Sequence, residues 1–227
     1  MQKPKITIIK DGPYVVTGNV PLCKEIIVVD KEHSPLTWKK GMCYPKKQSY
    51  SLCSCGKSGE KPYCDGTHSK IRYKGKETAN RELFLKQAHK IDGPNLVLRD
   101  VPKLCASAAF CERLGGTWNL VERSNDDAAR KAAIQQACDC PSGRLVAFHK
   151  KTGKEIEPEF KPSISLVEDP DAGFSGPIWV KGRIPIFAAD GTKYEVRNRV
   201  TLCRCGKSKN KPFCDSRHIS AGFSGEK

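Results

Sequence analysis

A chain of 227 residues is long enough for one large domain or two small ones, and its formal charge of +15 comes from Lys and Arg spread along its whole length. That spread, with no interleaved aromatics, argues against a nucleic-acid interface, and the longest apolar runs, such as IIVV between Glu25 and Asp30, fall far short of the roughly 20 residues that span a bilayer. Twelve cysteines without a signal-peptide pattern in the opening MQKPKITIIK point to thiols committed to metal in a reducing, cytoplasmic setting rather than to a disulfide framework.

In chain order, GPYVVTGNVPL (Gly12 to Leu22) reads as short strands around a turn, rich in β-branched and aromatic residues and punctuated by Gly and Pro. An unmatched stretch within Cys23 to Lys47 follows. The loop LCSCGKSGEKPYCDGTH (Leu52 to His68) then offers Cys53, Cys55, Cys64 and His68, with Tyr73 and Gly75 beyond it. KLCASAAFCERL (Lys103 to Leu114) is alanine-rich and closes on Gly115 and Gly116, which predicts a helix with a C-terminal stop. A second helix is predicted from the cap at Ser124 to Ala137, with Asp126 and Asp127 in its first turn and Pro141 ending it. Lys150 to Lys161 reads as a polar connector.

The pattern then repeats. GPIWVKGRIPI (Gly176 to Ile186) aligns without a gap on Gly12 to Leu22. LCRCGKSKNKPFCDSRH (Leu202 to His218) offers Cys203, Cys205, Cys214 and His218, followed by Phe223 and Gly225. Flanking strands repeat together with the ligands, so half-domains rather than loops were duplicated.

Thiolates and neutral imidazole suit iron-sulfur clusters or zinc. Zinc loops usually place two to four residues between paired cysteines, whereas one separates Cys53 from Cys55 and Cys203 from Cys205. A structural zinc site remains the alternative. Gly56 and Gly206 let the chain turn beside sulfur, Pro62 and Pro212 stiffen the approach to the third thiol, and Asp65 and Asp215 are placed to cap the next turn. The GKS strings are no P-loop, since no Gly stands five residues earlier, and Lys57 and Lys207 read as exposed. His33, His89 and His149 have no such setting and default to surface or packing.

The order CxC, Ser, Pro, CDGTH resembles the CDGSH (NEET, mitoNEET-like) iron-sulfur family. The resemblance implies a 2Fe-2S cluster held by three Cys and one His, hence by Cys53, Cys55, Cys64 and His68, and again by Cys203, Cys205, Cys214 and His218. The second loop departs from the motif with Ser216 and Arg217 in place of Gly66 and Thr67, a strain wherever the backbone needs glycine. A neutral imidazole in place of a thiolate makes a cluster less negative and raises its potential, and protonation of that ring would weaken the iron bond.

Cys105 and Cys111 stand at the first and third places of a ferredoxin CxxCxxC run, with Ala108 in the middle, and Cys140 precedes Pro141 as a remote ferredoxin ligand commonly does. These residues resemble the divergent single-cluster ferredoxin segment found beside CDGSH motifs in triNEET-like proteins. Three thiolates suit a 3Fe-4S cluster, or a 4Fe-4S cluster completed by another ligand, for which Cys138 is the nearby candidate. Cys23 and Cys43 have no counterparts in the second half and are expected to be unligated.

Single-motif NEET proteins pair as homodimers, so the resemblance implies an α+β fold with two NEET-like β-rich half-domains, 1–80 and 151–227, forming a pseudo-two-fold intramolecular dimer. A central ferredoxin-like helical segment, 81–150, lies between them. The expected role is electron transfer or cluster storage and transfer, with a redox partner or apo-acceptor protein and a chain that is monomeric because it carries its own dimer. The alternative is a redox or pH sensor acting through a partner contact. No GxGxxG, nucleophile constellation or acid pair accompanies the metal ligands, so no enzyme is expected.

Overall fold

The computed structural model describes residues 3–226. The first region comprises β1 (Lys5–Ile8), β2 (Tyr14–Thr17), β3 (Leu22–Val29), β4 (Pro35–Cys43), β5 (Ser49–Leu52) and the single turn α1 (Thr67–Lys70). Alternation places Ile6, Ile8, Tyr14 and Val16 inside, as period-two strands require. The middle region holds α2 (Phe84–Gln87), β6 (His89–Asp92), β7 (Leu96–Asp100), α3 (Thr117–Glu122), α4 (Asp127–Asp139), β8 (Leu145–His149) and β9 (Glu155–Ile156). The last holds β10 (Ser163–Asp169), β11 (Phe174–Lys181), β12 (Ile186–Phe187), β13 (Arg199–Leu202) and α5 (Arg217–Ser220).

Two sheets mix strands from the two ends of the chain, in the orders β12-β1-β2-β5 and β13-β11-β10-β3-β4. Strand β1 runs parallel to β12 with Ile6 beside Ile186, and β10 runs parallel to β3 with Ile164 beside Leu22. These pairings are counterparts under the sequence repeat, and so are the hydrogen bonds from Ile6 N to Pro185 O and from Ile164 N to Pro21 O, each 2.9 Å. One apolar core lies between the sheets, drawing Ile6, Val16 and Leu52 from one half and Ile164, Val180 and Leu202 from the other. Each such side chain contributes about 1.5–3 kcal/mol by leaving water, so neither half retains its core without the other.

The unmatched stretch forms the β3–β4 hairpin. Its register sets Cys23 opposite Cys43, and the two are joined as a disulfide. The two were expected to be unligated, and the disulfide is compatible with that; their pairing itself was not read from the sequence, because cross-strand register is invisible as a spacing rule. Trp38 on this hairpin packs on Phe110 and Trp179 and donates to Asp139 O at 3.0 Å, tying the hairpin to the middle region.

The middle region is not simply helical, which corrects an expectation. A four-stranded antiparallel sheet, β6-β7-β8-β9, backs the helices, and β9 occupies part of the supposed connector. Ala129, Ala133 and Ala137 recur at i, i+4 and i+8 on α4 and lie buried over Leu96, Leu98 and Leu145, small enough for close approach. The cap of α4 is Asp126, which accepts from Ala129 N at 2.7 Å, whereas the Ser124 hydroxyl accepts from the amides of Asn95 and Leu96. Lys103–Leu114 is no α-helix. It is two 3-10 turns, Pro102–Leu104 and Phe110–Gly115, joined through left-handed Ser107 and Ala109. A straight helix would turn Cys105 and Cys111 about 120° apart; the loop faces both to one recess. Among the described residues no helix is long and apolar enough to cross a membrane.

Candidate metal centres

Strand β5 delivers Cys53, whose amide donates to Pro62 O at 2.9 Å, and Cys64 N donates to Ser51 O at 2.9 Å, so the loop doubles back on its own strand. Ser58 closes it by donating to Tyr63 O at 2.7 Å and accepting from Glu60 N. Asp65 accepts from Thr67 N at 2.9 Å and from Gly59 N at 2.7 Å, and these amides hold its carboxyl well below the usual range. The turn at Thr67–Lys70 then sets His68 against Cys64. In the second loop Cys203 N donates to Pro212 O, Cys214 N to Thr201 O, Ser208 to Phe213 O and Lys209 N to Asp215, contact for contact.

In each loop the donors form two pairs. Cys53 Sγ and Cys55 Sγ stand 3.6 Å apart, and Cys64 Sγ lies 3.2 Å from His68 Nδ1. The second loop repeats this at 3.9 Å and 3.4 Å. Two donors on one tetrahedral metal with bonds near 2.3 Å to sulfur are separated by about 3.5–3.8 Å. The four pairs, at 3.2–3.9 Å, scatter around that spacing, and it is Nδ1 of each imidazole that faces its cysteine. Among the described residues no three such side chains gather around a single-ion site, as a Cys3His zinc centre requires.

Burial disfavours the thiolate form at several of these donors. Burial pushes Cys55 up to about 11 and also raises Cys64 and Cys214. Cys203 is held down, first by the hydrogen bond with Cys205 and against burial, with the Ser208 amide assisting, while Cys205 is driven up in return. Bound metal supplies the positive charge that four deprotonated or neutral donors in such a site need.

The two loops sit back to back. Gly56 has φ +72° and Gly206 φ +76°. A Cβ on Gly56 would stand 2.6 Å from Cys205 O, and one on Gly206 2.4 Å from Cys55 O. Glycine is thus required twice, by conformation and by contact. Tyr14, from the first half, donates to Cys203 O at 3.0 Å. Exposure distinguishes the loops: Cys64 and His68 are half-buried, whereas Cys214 and His218 are buried, the latter ring edge-on to Phe174. Ser54, between the first two thiols, donates to Gly12 O, but its counterpart Arg204 pairs with Glu168 at 2.9 Å. Lys57 and Lys207 are exposed, as are His33, His89 and His149.

A third recess is lined by Cys105, Cys111 and Cys140, with Pro141 and Arg144. Cys138 is not among its lining residues; its carbonyl instead accepts from Arg199. Ala108, at the middle place of the cysteine run, packs in a cluster with Phe110, Trp179 and Trp38. Burial pushes Cys111 up to about 12, but at Cys105 the Ser107 amide and the Arg144 guanidinium outweigh burial and the net shift is downward. Arg144 is itself held by Asp100 at 2.7 and 3.0 Å. A fixed cation facing three thiols suits an anionic cluster. Sequence reasoning missed Arg144, whose signal was its place in the CPSGRL string.

Donors paired in this way, with a cation-backed group of three thiols beside them, define an iron-sulfur protein. Residues 11–69 and 175–219 match the family described as iron-binding zinc finger of the CDGSH type, and residues 91–150 match that described as divergent 4Fe-4S mono-cluster. Together these matches mark a CDGSH-type iron-sulfur protein, with two CDGSH motifs on either side of the mono-cluster segment. No curated protein and no solved structure matches it.

Proposed function

We propose that the chain is a multi-cluster iron-sulfur carrier, not an enzyme, that moves electrons or clusters to a redox partner or apo-acceptor protein. Cys53, Cys55, Cys64 and His68 hold one 2Fe-2S cluster, and Cys203, Cys205, Cys214 and His218 hold another. Cys105, Cys111 and Cys140 hold a third, of 3Fe-4S or 4Fe-4S type. The observation that carries this reading is the division of each loop into two donor pairs at 3.2–3.9 Å. When bound, such clusters supply one-electron chemistry at potentials set by ligand charge, hydrogen bonds to sulfur and exposure. The chain's own part is to position the donors, to exclude water at the second loop and to leave Cys64 and His68 partly open at the first.

The architecture supports the same reading. Reciprocal pairing of Ile6 with Ile186 and of Ile164 with Leu22 fits two NEET-like halves fused into an intramolecular pseudo-dimer, so no second chain is needed to complete the fold. Iron and acid-labile sulfide analysis with absorption spectroscopy tests the cluster content. Colourless protein holding zinc alone would end the proposal. Transfer of iron and sulfide to an apo-ferredoxin, beside a redox titration, separates cluster delivery from electron transfer. A sensor would instead change its partner contact on cluster loss without transferring the cluster.

A further inference from the structure

Among the residues that differ between the two loops, Ser216 in place of Gly66 makes contacts that leave its loop. Gly66 sits at φ +84° with nothing within 4 Å of where a Cβ would be, whereas Ser216 takes the same left-handed conformation at φ +70°. A side chain there carries a conformational cost that glycine does not. Offsetting it are hydrogen bonds that leave the loop. The Ser216 hydroxyl donates to Cys105 O at 2.8 Å and accepts from the Ser107 hydroxyl at 2.7 Å. Asn210 adds a third link, donating to Lys103 O at 3.0 Å.

These contacts join two groups of ligands. Ser216 stands between Cys214 and His218, and its partner carbonyl belongs to Cys105 of the central site. Gly66 makes no such contact for the first loop. In a site of low dielectric, a hydrogen bond between two ligand-bearing loops holds their separation fixed and passes a change of charge from one to the other.

We propose that Ser216 is a positioning residue that couples the central cysteine site to the second CDGSH loop and not to the first. It rests on the reading of three cluster sites given above. A change of charge at the central site then shifts the potential of the second site, and by reciprocity the second site shifts the central one equally.

The test is a redox titration of the cluster-loaded full chain, with each site followed by electron paramagnetic resonance. The central site is emptied by Cys111→Ser, with and without Ser216→Gly, a change the left-handed backbone accepts. The second-site midpoint should move in the Cys111→Ser protein while the first-site midpoint stays, and Ser216→Gly should remove at least half of that movement. Equal movement at both loops, no movement at the second, or the same movement in the Ser216→Gly background would overturn the coupling. Iron and sulfide counts on the unmutated chain keep the two readings apart: a chain without iron ends the carrier reading, whereas a fully loaded chain with uncoupled midpoints ends only this one. Should Cys111→Ser fail to fold, hydrogen exchange in the Ser216→Gly chain decides. Amides 104–108 should exchange about fivefold faster or more, the ratio expected from one lost hydrogen bond, and unchanged exchange would sink the proposal.

Discussion

The guanidinium of Arg199 lies 2.9 Å from the carboxylate of Glu157 and donates its remaining bonds to the carbonyls of Ala137, Cys138, Cys140 and Leu145. A strand of the second half thus closes the C-terminus of α4, where a cation is favoured, and holds the chain beside the candidate ligand Cys140. Arg199 is 1% exposed. Arg199→Met should cost about 3 kcal/mol, because it leaves the partly buried Glu157 with Asn198 as its remaining donor and strips a donor from four carbonyls. Urea denaturation measures this, and the double change Arg199→Met with Glu157→Gln should recover part of the loss.

Gly56→Ala and Gly206→Ala should each destabilise the chain by more than the ~1–2 kcal/mol of a left-handed alanine, since the added carbon also meets a backbone carbonyl of the other loop. Gly66→Ala, with open space around it, should show the conformational cost alone. Denaturation midpoints and iron per chain rank the three, and equal effects would contradict the back-to-back contact.

Chelator should strip the first CDGSH site before the second. Cys64 and His68 are half-buried, whereas Cys214 and His218 are buried beneath Phe174 and the loop at Cys105. Following iron release in chains that keep one functional loop, through Cys64→Ser or Cys214→Ser, gives the two rates separately. A faster second site would refute the assignment of access.

Ten thiols, not twelve, should react when cluster-free protein is denatured and alkylated without reductant, with Cys23 and Cys43 recovered as one linked peptide pair. Reduction before alkylation should restore the other two. Mass spectrometry reads both numbers.

His68→Cys and His218→Cys should each lower the midpoint potential of their own site, because an anionic thiolate replaces a neutral imidazole. Voltammetry of the two variants checks the direction, and a raised or unmoved potential would mean that the histidine is not a ligand.

Much of the candidate ligand set was legible from sequence because its chemistry is local. Cys53, Cys55, Cys64 and His68 fall within one loop, and Pro62, Asp65 and Gly56 have roles set by neighbours a few residues away. The central loop was misjudged for the opposite reason. Alanine at 106, 108 and 109 favours a helix in isolation, but burial of Phe110 against Trp38 and the facing of Cys105 and Cys111 to one recess override that propensity. Cys138 was the nearby candidate for a fourth ligand beside Cys140, yet its position around the end of α4 leaves it outside the recess that Cys140 lines.

Sequence alone determined the donors, their order and the duplication of the strands around them, since each is a matter of residue type and short spacing. Tertiary structure decided which thiols pair, which loop is covered and what touches it. Cys23 meets Cys43 through strand register, Arg199 reaches the end of α4 from a distant strand, and Ser216 finds Cys105 across the junction of two regions. Those contacts depend on how separate apolar faces bury one another, and no local pattern in the chain encodes the resulting distances.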